Sequence, residues 1–100
     1  MKFVIQYTPA RDNFLQTITP EEAGVIERHF AYLKDLLTQK KLRLAARRTD
    51  GAFGIAILEL SSLDEAKSVL ASDPVIHEKV FTGTVGEFRI ALVDEGASWT

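Results

Sequence analysis

One hundred residues, 46% apolar and 26% charged, describe an ordinary globular chain and exclude general disorder. The formal net charge of −2, from 12 basic and 14 acidic residues, gives no general attraction to nucleic acid or to an anionic membrane. The absence of cysteine excludes disulfides, thiolate chemistry and cysteine-ligated zinc, and no apolar run reaches membrane length, so a single cytoplasmic domain over residues 1–100 is expected.

Residues 2 to 7, KFVIQY, set Phe3, Ile5 and Tyr7 against Lys2, Val4 and Gln6, the alternation of a strand. The segment TPEE then starts a helix, with Thr19 as N-cap, Pro20 at the first helical position and Glu22 closing a capping box. From Glu21 to about Gln39 the helical period places Ile26, Phe30, Leu33 and Leu37 on one face. LRLAARR is a second strand with Leu42, Leu44 and Ala46 on one side, and Asp50-Gly51 supplies the turn that follows. AFGIAILEL is a third strand. SSLDEAKSVLASD is a second helix, with Ser62 and Glu65 as a capping box and Leu63, Ala66 and Leu70 facing inward. DPVIHEKVF reads as a short helical turn, and GEFRIALV as the last strand.

The order β-α-β-β-α-β is that of the α+β ferredoxin-like fold, a four-stranded antiparallel sheet with both helices on one face. The other face should then be polar in a monomer. Strand three does not comply: Phe53, Ile55 and Ile57 share one side, while Gly54, Ala56, Leu58 and Leu60 share the other. The pattern predicts a homodimer stacked through the open sheet face, unless the 8–18 connection or the tail with Trp99 covers it. GAFGIAIL has a faint likeness to a base-stacking RNA-binding strand, but Ile55 stands where a second aromatic is needed. With an acidic chain, no nucleic-acid partner and no membrane partner are expected.

His29 lies at the edge of the first helix's apolar stripe, about 60° from Ile26 at 100° per residue. An imidazole there can be partly desolvated and still reach a small molecule, as a general acid/base requires. Such a base needs an orienting carboxylate, and Asp73 ends the inward stripe of the second helix. Each residue also has a structural reading. His29 can be a satisfied core-edge histidine, and Asp73 before Pro74 can simply be an N-cap. His77 reads as solvated. No metal spacing and no cofactor motif is present. Arg47 and Arg48, at the end of strand two, are either solvated hairpin charges or a grip for an anionic substituent, and Tyr7 is a candidate pocket-lining residue.

HFAYLKDLL, the apolar hairpin that follows, LDEAKSVLASDP and a final V..FRI strand together resemble the YciI-related domain family, over residues 2 to about 93. The resemblance implies a dimeric α/β barrel similar to muconolactone isomerases, with a His/Asp pair in a pocket; by position the pair is His29 and Asp73. The chain departs from the pattern in two places. Lys40 stands where the family usually has a glycine before strand two, and Ala46-Arg47 replaces its usual Gly-Pro. The expected function is a cofactor-independent enzyme of lyase or isomerase type on a small cyclic or carboxylated metabolite. The alternative is a non-catalytic dimeric module that binds a small ligand or a partner protein.

Overall fold

Burial of alternating side chains on one sheet face organises the chain. A computed structural model describes residues 1–97. Strands β1 (Lys2–Pro9), β2 (Leu42–Arg47), β3 (Gly54–Glu59) and β4 (Phe81–Glu87) form one sheet in the order β2-β3-β1-β4, every neighbouring pair antiparallel. Helices α1 (Pro20–Thr38), α2 (Leu63–Ser72) and α3 (Pro74–His77) complete the ferredoxin-like arrangement. The core gathers Phe3, Ile5 and Tyr7 of β1, Ala56 and Leu58 of β3, Val25, Leu33 and Leu36 of α1, Ala66 of α2 and Val75 of α3. Each large side chain buried this way contributes about 1.5–3 kcal/mol. Among the described residues no helix is long and apolar enough to cross a membrane.

The local signals for α1 hold. Glu22 N–H donates to Thr19 Oγ1 at 3.2 Å, and Thr19 N–H donates to Glu22 Oε1 at 2.9 Å, so both halves of the capping box form. At α2 only one half forms. Glu65 N–H reaches Ser62 Oγ at 3.1 Å, while the Glu65 carboxylate accepts from Ser61 instead of Ser62. Helix α1 ends with Lys40 at φ 61, with Lys41 N–H on the Leu36 carbonyl at 2.9 Å and Lys40 N–H on the Leu37 carbonyl at 3.0 Å. This is the left-handed Schellman ending that favours glycine. Lys40 therefore keeps a conformation that glycine would hold without steric cost.

Four sequence expectations are corrected. The buried stripe of α1 is Val25, His29, Leu33 and Leu36, whereas Phe30 and Leu37 are about half exposed. His29 thus lies within the stripe. On α2, Ala66 is buried but Leu63 is exposed. In β2 a bulge between Leu42 and Leu44 splits the expected face. Leu42 pairs with the buried Leu58, while Leu44 and Ala46 pair with Ile57 and Ile55 on the open side. The last strand is Phe81–Glu87, not 86–93. Its register with β1 runs from Phe3 opposite Glu87 to Pro9 opposite Phe81, so β1 is exhausted where FRIALV begins. Ile90, Leu92 and Val93 are left exposed.

The connection between β1 and α1 does not cover the open sheet face. Its Phe14 is buried edge-on to Phe81, with ring centroids 5.4 Å apart, on the helix side. Trp99, the other expected cover, lies outside the described residues.

Candidate functional site

Three elements deliver polar atoms to one buried point. The alternation of β1 turns Tyr7 toward the helices, the central turn of α1 carries His29, and the α2–α3 junction carries Asp73. His29 Nδ1 lies 2.7 Å from Asp73 Oδ1 and 2.9 Å from Oδ2. Tyr7 O–H donates to Asp73 Oδ2 at 2.8 Å, and Val75 N–H donates to Oδ1 at 3.1 Å. The Asp73 side chain is fully buried. Its carboxylate is therefore both the N-cap of α3 and the acceptor for two side chains from opposite layers.

A carboxylate only accepts, so Nδ1 is the nitrogen that donates to Asp73, and in the neutral imidazole Nε2 is the one that keeps its lone pair. Nε2 has no hydrogen-bond partner among the described residues, yet it is not one of the sealed polar atoms, since among those residues only Glu59 Oε2 is buried without a hydrogen bond. The free nitrogen therefore faces open space. The ring is held edge-on to Tyr7 at 5.2 Å and to Phe81 at 6.2 Å between centroids. Burial pushes the Tyr7 hydroxyl well above the ordinary tyrosine range, with the negative charge and hydrogen bond of Asp73 adding to it. Tyr7 therefore stays a protonated donor.

The open space is a cavity of about 390 Å³ between α1, the helix side of the sheet and the connection after β1. Phe14, Ile18, Ile26, Phe30 and Phe81 are among its apolar walls, and among the described residues His29, Tyr7 and Arg47 are its only polar side chains. The wall from the connection is anchored. Arg11 makes two bonds to Glu22, at 2.6 and 2.8 Å, and lies over the Phe14 ring at 5.0 Å. Those bonds, with the Thr19 amide, hold the Glu22 carboxyl down at about 2. Gly51, at φ 77, closes the far rim, where any Cβ would fall 2.6 Å from Leu15.

The structure thus brings His29, Asp73 and Tyr7 together and puts Arg47 on the cavity wall. It does not bring Arg48 there: that guanidinium is bonded to Asp50 and sits over Phe53, and Arg48 is not a lining residue. His77 is exposed, and no cluster of three or more metal-binding side chains occurs among the described residues. Sequence reasoning missed Phe14 and Ile18, because a connection carries no period to read, and Phe81, because DPVIHEKVF was read as a helical turn where β4 in fact begins. It saw Tyr7 as lining but not as a donor to Asp73; the usable signal was that a buried phenol needs a partner.

Among the solved structures similar to this chain are two that cover most of its length. The 5-chloro-2-hydroxyhydroquinone dehydrochlorinase of Burkholderia phenoliruptrix AC1100, in complex with 2,5-dihydroxybenzoquinone, is 24% identical with a TM-score of 0.67, over 89% of this chain and 94% of that one. A muconolactone isomerase is 13% identical with a TM-score of 0.71, over 98% of both chains. At these identities the likeness establishes the fold. No curated protein matches. The YCII-related domain model matches residues 1–90, nine-tenths of the sequence, and the chain belongs to that family.

Proposed function

We propose that the protein is a cofactor-independent lyase or isomerase for a small ring-shaped metabolite, with His29 as general acid/base and Asp73 as its orienting partner. The observation that carries this reading is the 2.7 Å contact of His29 Nδ1 with a fully buried carboxylate, which leaves Nε2 free toward an apolar cavity. In the reaction Nε2 takes a proton from a carbon next to a carbonyl, and the C–H electron pair moves onto the carbonyl oxygen as an enolate. Asp73 stabilises the imidazolium. Returning the proton to a different carbon completes an isomerisation, whereas loss of a β-substituent with its electrons completes an elimination. The fold likeness to a dehydrochlorinase and an isomerase supports this reaction class.

The test measures deuterium wash-in next to the carbonyl of hydroxyquinones and unsaturated lactones in D₂O, for wild type and His29→Asn. Asparagine places an amide N–H near the Nδ1 position, so the bond to Asp73 survives while the titrating ring is gone. Exchange should slow by about 10²–10⁴-fold with the fold intact. Wild-type exchange in the variant, or none in the wild type, would refute the assignment.

The same proposal includes a homodimer through the open sheet face. Val4, Leu44, Ile55 and Ile57 form a half-covered apolar patch there, and Ile57 is its centre, opposite Val4 on one strand and Leu44 on the other. A stable pair needs at least about 1,000 Å² of total buried area. Sedimentation should give twice the chain mass for wild type and a folded monomer for Ile57→Lys, which would set two charges face to face. A wild-type monomer at micromolar concentration ends this part of the proposal. A chain without cysteine that needs no oxidising surroundings fits a cytoplasmic setting.

A further inference from the structure

We propose that Arg47 makes the cavity selective for ring compounds bearing a carboxylate, which it grips while the ring lies against the apolar walls. The inference rests on reading the cavity as a substrate site and adds the class of substrate. Arg47 pairs with Gly54 in the β2–β3 register, on the same side as Ala45 and Ala56, which is the helix-covered side. Gly54 leaves room for it: a Cβ there would lie 3.6 Å from Arg47 Cβ and 3.3 Å from the Ala46 carbonyl.

The guanidinium is oriented by the hairpin. Arg47 Nη1 donates to the Arg48 carbonyl at 3.0 Å and to the Thr49 carbonyl at 3.1 Å. Its Nε–Nη2 edge has no protein partner among the described residues, and Arg47 has no ion pair among them. Two parallel N–H groups on that edge match the two oxygens of a carboxylate. Among the described residues no Asp or Glu side chain lines the cavity to compete for it. Arg48, one residue on, is already neutralised by Asp50. The cavity lining therefore combines carbon walls for a ring, an arginine with one unpartnered donor edge, and the imidazole of His29.

The test uses two probes of nearly the same shape, benzoate and uncharged benzamide. Each is titrated into the full-length protein and followed by the NMR shifts of His29 and the cavity phenylalanines. Wild type should bind benzoate about tenfold more tightly than benzamide, a charge-assisted pair at a partly solvated rim. Arg47→Gln should remove the preference, and Arg48→Gln should leave it unchanged. Equal affinities in wild type, no benzoate binding up to its solubility, or a preference that survives Arg47→Gln and vanishes in Arg48→Gln would each overturn the assignment. The readout is binding alone, so failure of the exchange test with the benzoate preference intact would refute the catalytic reading and not this one.

Discussion

Asp73→Ala should lower the free energy of unfolding by about 3–5 kcal/mol, the largest effect expected of any single side chain outside the apolar core. The carboxylate is fully buried and is the common acceptor for His29 Nδ1–H, Tyr7 O–H and Val75 N–H. Alanine leaves three donors facing one another, each costing about 1–3 kcal/mol when orphaned. The N-cap of α3 is lost as well, at about 0.5–2 kcal/mol. A water entering the vacated space would satisfy some of the donors, which keeps the total below the simple sum. Against a whole stability of about 5–15 kcal/mol this is a large fraction. The midpoint of thermal unfolding should fall by roughly 12–40 °C, since 1 kcal/mol corresponds to about 4–8 °C at this size. Circular dichroism melting measures it. A fall of only a few degrees would mean that the three bonds contribute little to holding the layers together.

Why this junction was only half legible in the sequence follows from the physics of each signal. The caps could be read because they are short-range chemistry: Thr19, Pro20 and Glu22 satisfy one another within a single turn. The inward face of β1 could be read because a period of two admits only two choices. The stripe of α1 could not, because hydrophobicity alone favours Phe30 over His29. What buries His29 is a carboxylate 44 positions away. Similarly, FRIALV has a stronger strand composition than FTGTVGE, yet strand propensity is decided by having a neighbour to pair with. The neighbour is β1, and it ends at Lys2. The bulge at Arg43 and the cavity walls from the β1–α1 connection depend on tertiary fit and leave no periodic trace. Asp73 could be named as a partner for His29 from its place at the end of the inward stripe of α2, the family resemblance pointed to the same pair, and the chain's departures from that pattern proved as informative. Lys40 adopts the glycine conformation, and Arg47, where the pattern has proline, stands on the cavity wall.

Asp73→Asn separates holding the fold from helping the proton move. Asparagine keeps the shape of the side chain but loses its charge. With its carbonyl oxygen at the Oδ1 position it still accepts from Val75 N–H, and its amide then faces Tyr7, whose hydroxyl can turn round to accept. Most of the stability lost in Asp73→Ala should therefore be retained. The imidazolium formed when Nε2 takes a proton has no such substitute. It loses a full negative charge in direct contact, an interaction on the order of 4 kcal/mol at 4 Å for an effective dielectric of 20. In the proposed reaction, deuterium exchange should consequently fall by about 10²–10³-fold. Melting and exchange measured on the same preparation distinguish the roles. A stable variant with slow exchange assigns the charge of Asp73 to the chemistry. Exchange within a few-fold of wild type would mean the carboxylate serves only to hold β1, α1 and α3 together, and His29 would then have to act without a counter-ion.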